Sequence, residues 1–233
     1  MYSVILPTMW RGIELEMMLP LVANHPLVGE VIIIDNNPTQ RPSWYQPHPK
    51  IQLLEQSTNI YVNPAWNLGA SLAKHEWLCF MSDDVLFDEH VFDFLDNKSP
   101  GIIGLRSVDM YKLWEGRSME DNIARTISPN MDLEEIAGLL PGDFPLGFAV
   151  LFFVHKSHWM RIPTEQLKIL FGDVWLYRLC ELYYKIKPRW LIDYHVVGHQ
   201  STTTHSPEFQ AMVFEELLNG DDILNKSFGL FQG

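Results

Sequence analysis

The chain has 233 residues, 47% hydrophobic and 12% aromatic, which excludes a disordered or collagen-like polymer and fits one large globular domain or two small ones. Seventeen Lys and Arg against 29 Asp and Glu leave a net charge of −12, which argues against a broad electrostatic grip on nucleic acid and leaves room for a local pocket for one small phosphate ligand. The two cysteines, Cys79 and Cys180, each lie inside an apolar run, which fits two buried thiols of a reducing, cytoplasmic compartment better than a disulfide framework.

The first element is predicted at once. Tyr2 to Leu6 is strand-like and no basic region with a cleavage site precedes it, so no secretory signal is expected. Ser3-Val-Ile-Leu6, ended by Pro7, suits a strand buried on both faces of a parallel sheet. Leu15, Met18, Leu19 and Val22 then fall at helical spacing, with Pro20 predicting a kink or a break. Val31-Ile-Ile-Ile34 is a second buried strand, closed by the turn signal Asp35-Asn36-Asn37-Pro38. Beyond a loop with Pro42, Pro47 and Pro49, Ile51 to Leu54 reads as a third strand. Pro64 to His75 reads as a helix with Asn63 as its N-cap.

Trp77 to Met81 is the fourth strand and runs into Ser82-Asp83-Asp84; a helix around Glu89 to Leu95 and a fifth strand at Ile102 to Leu105 follow. The order β-α-β-β-α-β-α-β predicts an α/β fold, a mostly parallel central sheet flanked by helices. Arg106 to Phe144 has weak periodicity and reads as long loops with one short helix near Leu133 to Leu139. The most apolar stretch, Ile136 to Val154, is broken by Pro141, Gly142, Asp143, Pro145 and Gly147. It is therefore a loop and then a central strand, Phe148 to Val154, rather than a transmembrane segment. Val174 to Lys185 forms a helix with Leu176, Leu179, Cys180 and Tyr183 in one stripe, and Trp190 to Val197 is the last strand. A C-terminal helix starts at Ser206-Pro207 and ends before Gly220.

In an open α/β sheet, ligands bind beyond the carboxyl ends of the parallel strands. That edge collects Pro7 and Thr8 after the first strand, Asp35 and Asn36 after the second, and Asp83 and Asp84 after the fourth. Three carboxylates gathered there repel one another and call for a divalent cation such as Mg²⁺ or Mn²⁺, which takes one or two carboxylates together with substrate phosphates. Turn chemistry alone also accounts for Asp35-Asn36-Asn37-Pro38, and Asp83-Asp84 also suits a turn leading into a helix.

Taken together in order, these residues resemble the nucleotide-sugar-dependent glycosyltransferases of the GT-A fold, in particular the inverting, family 2-like group. The resemblance runs through Ser3-Val-Ile-Leu-Pro-Thr8, Glu30-Val-Ile-Ile-Ile-Asp-Asn36, Asn59, Pro64-Ala-Trp-Asn-Leu-Gly69 and Phe80-Met-Ser-Asp-Asp-Val85, the last similar to the metal-binding DxD motif. Later candidates are Gly147 at the start of the acceptor-side strand, Gly172-Asp173 as the catalytic acidic motif and His199 as the C-terminal histidine, with His195 and His205 competing for that place. Two departures stand out. Ser82 occupies the first acidic position of DxD, and Ala65-Trp66-Asn67 replaces the Ala-Arg-Asn of many relatives.

The resemblance implies one domain over residues 1–233, with 1–105 as the nucleotide-sugar half, 106–206 as the acceptor half and 207–233 as a C-terminal helix and tail. It implies a UDP-, GDP- or dTDP-linked sugar as donor, a glycan or other hydroxyl compound as acceptor, and Mn²⁺ or Mg²⁺. Pro7, Thr8, Asp35, Asn67 and Asp83 are implied on the donor, Asp84 and His199 on the metal, Gly147 and Trp175 on the acceptor, and Asp173 as general base. Asp143, Asp193 and Glu181 are the alternatives for the base. Of the aromatics able to stack on a sugar, Trp66, Trp114, Trp175 and Tyr177, Trp175 is the one chosen; His155 and His158 read as a structural helix start rather than a metal site. The rival readings are a nucleotidyltransferase, which usually carries a Gly-rich basic loop where this chain has Pro7-Thr-Met-Trp-Arg-Gly12, and a non-catalytic nucleotide-sugar-binding module.

Overall fold

The computed structural model describes residues 1–106, 109–136, 148, 150–198 and 206–229. In chain order the elements are β1 (Tyr2–Thr8), α1 (Leu15–Asn24), β2 (Val28–Asp35), β3 (Ile51–Glu55), α2 (Val62–Leu72), β4 (Trp77–Met81) and β5 (Val85–Phe87). They continue with α3 (Val91–Leu95), β6 (Ile102–Leu105), β7 (Met110–Lys112), α4 (Met119–Ala124), β8 (Asp132–Glu135) and β9 (Leu151–His155). The last are α5 (Gly172–Leu182), β10 (Arg189–Ile192), β11 (Val196–Gly198) and α6 (Gln210–Gly229).

Eight strands form one sheet in the order β3-β2-β1-β4-β9-β6-β10-β8. β3, β2, β1 and β4 are mutually parallel, as are β6 and β10, while β9 and β8 run against their neighbours. The expected mostly parallel sheet is therefore present, with an antiparallel strand at its centre. A smaller sheet has the order β5-β11-β7.

The apolar runs are continuous because both faces of the sheet are covered. Alternate residues go to opposite layers: Val4, Leu6, Val31, Ile33, Cys79 and Phe153 pack with α1 and α3. Ile5, Ile32, Ile34, Phe80, Phe152 and Val154 pack with α2 and α5 on the other side. Cys79 and Cys180 are free and buried. No helix among the described residues is long and apolar enough to cross a membrane.

Several boundaries differ from the sequence reading. The helix expected near Leu133 to Leu139 is, as far as it is described, the edge strand β8, whose pairing with β10 supplies the hydrogen bonds that its lone apolar residue Leu133 does not advertise. The single strand expected over Trp190 to Val197 is two strands in different sheets, because Asp193 takes a left-handed backbone, φ 53°, between β10 and β11. α1 passes through Pro20 without a break. α2 begins at Val62 with Tyr61 as its cap, so Asn63 lies in the first turn. α6 starts after Ser206-Pro207 and runs through Gly220, where the missing Cβ leaves room for the Phe171 ring; a Cβ would lie 2.3 Å from it. The short elements β5, β7 and α4 were not anticipated.

Candidate functional site

Thr8 and Asp35 pair in register at the carboxyl ends of β1 and β2, and Asn36 N–H extends the ladder to the Thr8 carbonyl at 2.9 Å. β4 ends beside them, with Ser82 N–H donating to the Val150 carbonyl at 2.8 Å, so Asp83 and Asp84 emerge at the same edge. A cleft opens there, with about 1070 Å³ of empty space that includes space open to solvent. Its floor is Pro7, Thr8, Asn36, Ser82, Asp83 and Asp84; it is also lined by Asn59, Tyr61, Val62 and Trp66 around the start of α2 and by Ile169, Leu170, Phe171, Asp173 and Phe209, which pack against that start.

Thr8 and Asp83 are locked together. The Thr8 hydroxyl donates to Asp83 Oδ2 at 2.6 Å and accepts from Trp10 N–H at 2.7 Å. Two glycines let other segments press on the acidic pair's backbone: a Cβ at Gly12 would lie 1.9 Å from the Asp83 carbonyl oxygen, and one at Gly198 would lie 2.1 Å from that of Asp84. Burial, reinforced by the neighbouring Asp84 charge, pushes the Asp83 carboxyl up to about 6 against the opposing bonds from the Thr8 hydroxyl and Met9 N–H.

Asp173 lines the cleft from the start of α5. It is in the first turn of α5 rather than at its cap; Phe171 caps the helix in a left-handed conformation, φ 60°. The tight entry needs Gly172, because a Cβ there would lie 2.1 Å from Asn63 Oδ1. Burial pushes the Asp173 carboxyl up to about 6, although its own and the Val174 backbone N–H groups favour the charged form. Tyr61, the cap of α2, also has a positive φ, 69°, with an extended ψ of 177°, so two strained non-glycine residues line the site.

Of the other expected residues, Asp35 is buried just behind the floor. Its carboxylate accepts Arg41 Nη2 at 2.7 Å, Arg41 Nε at 3.1 Å and Asn37 N–H at 3.1 Å, while its neighbour Asn36 lines the cleft. Arg41, missed in the sequence, neutralises it; the available signal was an arginine six residues beyond a strand-end aspartate. Asn67 is not brought to the cleft, because its amide is spent on Ile162, donating to the carbonyl and accepting from the N–H at 2.9 Å each. Trp175 is not brought there either: it is buried in the core, its Nε1–H on the Arg161 carbonyl at 3.2 Å.

Trp66 reaches the cleft but is mostly a core residue, edge-on to Phe80 and Phe152. Tyr177 packs on Phe148, and exposed Trp114 lies beneath Arg125. Gly147, His199, His205 and Asp143 lie outside the described residues; Asp193, Glu181 and His195 do not line the cleft. His155 starts a short 3₁₀ turn, accepting Ser157 N–H. A second group with metal-ligand chemistry, Asp88, Glu89 and His90, lies beside α3 and outside the cleft, with Asp88 already bonded to Ser128 N–H and His90.

The described lining holds no Lys, Arg or His. Two cations stand behind that lining: Arg11, paired with Glu208, lies over the Phe209 ring, and Lys168 lies over the Tyr61 ring. Two buried carboxyls raised to about 6 have a thermodynamic sign. The folded state holds these protons more tightly than the unfolded chain, so the destabilisation is fully present above pH 6 and is relieved as pH falls from 6 toward 4. Asp83→Asn is therefore expected to raise stability at pH 7.5 by on the order of 2 kcal/mol, roughly 4–8 °C in melting temperature. Calorimetric melting at pH 5 and 7.5 checks this: the variant should gain at pH 7.5 and not at pH 5.

No family model matches this chain, and no curated protein matches it. Solved structures do. TarS 1–349 from S. aureus aligns with 16% identity and a TM-score of 0.57 over 94% of this chain and 65% of that one. The same protein in complex with UDP-GlcNAc gives 16% and 0.55 over 94% and 66%. The mannosyltransferase PcManGT from Pyrobaculum calidifontis, in complex with GDP-Man and Mn²⁺, gives 14% and 0.57 over 92% of this chain and 60% of that one. This chain thus spans less than two thirds of the length of each. The fold is that of a GT-A-like glycosyltransferase.

Proposed function

We propose that this protein moves a sugar from a nucleoside-diphosphate donor to an acceptor hydroxyl by metal-assisted inverting displacement. The observation that carries this reading is the convergence of Thr8, Asp83, Asp84 and Asp173 on one cleft at the carboxyl edge of the sheet, without a basic side chain in the described lining. The donor set fits a divalent cation, since two adjacent buried carboxylates are a hard, oxygen-only pair in which burial, and then the repulsion of Asp84, already raises Asp83. Asp84 and Asp83 would hold the ion, with His199 as the candidate third ligand. Bound there, Mn²⁺ or Mg²⁺ supplies Lewis-acid stabilisation of the charge that gathers on the departing diphosphate.

The chain's own residues do the rest. Pro7 and Thr8 shape the floor beneath the donor, and Thr8 fixes the rotamer of Asp83 through its 2.6 Å bond. Asn36, backed by the Asp35–Arg41 pair, faces the nucleoside end. Asp173 takes the proton from the acceptor hydroxyl as that oxygen attacks the anomeric carbon, and a carboxyl at about 6 is ionised, yet still basic, at neutral pH. Ile169, Leu170, Phe171 and Phe209 exclude water around it. Residues 1–105 would then form the donor half, with 106–206 and the start of α6 closing the acceptor side, and Gly147 remains the acceptor-side candidate.

A thermal-shift panel tests the reading, since a ligand that binds only the folded state raises the melting temperature. UDP-, GDP- and dTDP-sugars should stabilise the protein with Mn²⁺ or Mg²⁺ and much less without. Stabilisation by a nucleoside triphosphate and a sugar 1-phosphate, and by no nucleotide sugar, would instead identify a nucleotidyltransferase. Donor binding without transfer or hydrolysis would identify a binding module.

A further inference from the structure

The buried face of α6 carries an unusual residue. Glu216 is 4% exposed, while the apolar Phe214, Leu217 and Leu218 on the same helix are 64%, 60% and 67% exposed. Its carboxylate is turned onto the segment that leads to Asp173. Oε1 accepts Lys168 N–H at 2.6 Å, Oε2 accepts Leu170 N–H at 2.6 Å, and Ile169 N–H lies between them at 3.2 and 3.1 Å. Three successive backbone N–H groups converging on one anion form a nest, a concavity that binds negative charge.

One turn along the same face, Gly220 gives room to Phe171, the left-handed cap of α5. α6 therefore touches the segment twice, at its three amides and at its last ring. From the other side Asn63 Nδ2 donates to the carbonyls of Leu167 and Leu170 at 3.2 and 2.9 Å. An uncompensated buried carboxylate is costly, and a surface helix needs none to dock. The position of this one is explained by what it holds.

We propose that Glu216 is a positioning residue for Asp173: through the amides of residues 168–170 it fixes the Phe171 cap, and through that cap the first turn of α5 on which Asp173 stands. The proposal rests on the reading of Asp173 as the base. Its most direct readout is an amide that Glu216 does not touch, Trp175 N–H, which donates to the Phe171 carbonyl at 2.8 Å and closes that first turn.

The test compares wild type, Glu216→Gln and Glu216→Asp. Gln leaves a donor facing Leu170 N–H, whereas Asp keeps both acceptor oxygens on a shorter stem. In Glu216→Gln, hydrogen exchange at Trp175 N–H should quicken at least tenfold, with Glu216→Asp between it and wild type. Hydrolysis of UDP-GlcNAc and GDP-mannose with Mn²⁺ reports on the chemistry with water as acceptor. kcat should fall at least tenfold in Glu216→Gln, with KM for the donor within threefold. Wild-type exchange at Trp175, or wild-type kcat, in Glu216→Gln would reduce Glu216 to a partner of its own three amides and overturn the proposal. If Gln does not fold, Asp carries the same readouts. A wild type that hydrolyses neither donor counts against the glycosyltransferase reading alone, and the Trp175 amide still decides the positioning claim.

Discussion

Asp173→Asn is expected to lower sugar transfer by about 10²–10⁴-fold, the usual worth of a general base, while donor affinity and the folded state persist. The structure sharpens this separation. Because Phe171 rather than Asp173 caps α5, the substitution removes no cap, and the Asn amide still occupies the first turn. Losing the charge removes a favourable contact with the helix N-terminus, worth about 0.3–1 kcal/mol, and also the burial penalty that raises the carboxyl to about 6. Melting temperature should therefore hold or rise. In the wild type, transfer should fall about tenfold per pH unit below pH 6, since only the ionised carboxylate accepts a proton. In the variant the share of that limb due to Asp173 should vanish, leaving the share due to Asp83, whose carboxyl is also raised to about 6. Steady-state rates across pH 5–8, with calorimetric donor binding at each end, measure both; a variant with near-normal transfer would return the base to Asp143, Asp193 or Glu181.

Asp84→Asn should abolish metal-dependent donor binding and leave the fold intact. Asp84 is buried at the cleft floor with Gly198 pressed on its carbonyl, so the backbone contact survives the change while the anionic ligand is lost. Even groups standing behind a metal ligand typically cost about 10–100-fold in affinity when removed, and a direct ligand should cost at least that much. Isothermal titration of UDP-GlcNAc and GDP-mannose, with Mn²⁺ and with chelator, reads it. Unchanged metal-dependent affinity would remove Asp84 from the metal site. Comparison with Asp83→Asn separates the two acids, because Asp83 is tied to Thr8 and Met9 and its loss should also change the stability of the ligand-free protein.

The large sheet was legible because its strands are buried on both faces and so appear as unbroken apolar runs, Val31 to Ile34 being the plainest. The acidic floor followed from where those runs stop. What stayed hidden depends on partners far along the chain or on backbone angles. β8 has a single apolar residue and is a strand only because β10 lies beside it. Asp193 breaks an otherwise strand-like stretch through a φ of 53°, which no side-chain pattern encodes. Asn67 and Trp175 looked like ligand-facing residues, but their polar atoms satisfy the backbone of Ile162 and Arg161. α6 inverts the usual rule: by pattern Phe214, Leu217 and Leu218 belong inside and Glu216 outside, and the structure has them the other way round. A nest of amides 48 to 46 residues away outweighs the apolar stripe.

The charged residues of the described cleft lining, all of them acidic, also govern encounter rates. A donor carrying two phosphates approaches a protein of net charge −12 through a cleft whose described lining holds three Asp and no cation, the nearby Arg11 already being paired with Glu208. Long-range repulsion slows such an approach, and mobile salt screens it within about 10 Å at 0.1 M. Association of the donor should consequently quicken as potassium chloride rises from 10 to 200 mM at fixed Mn²⁺, the reverse of a site built from arginines and lysines. Stopped-flow binding of a fluorescent nucleotide would show that slope, and a rate that falls with salt would place a cationic gate among the residues at the rim.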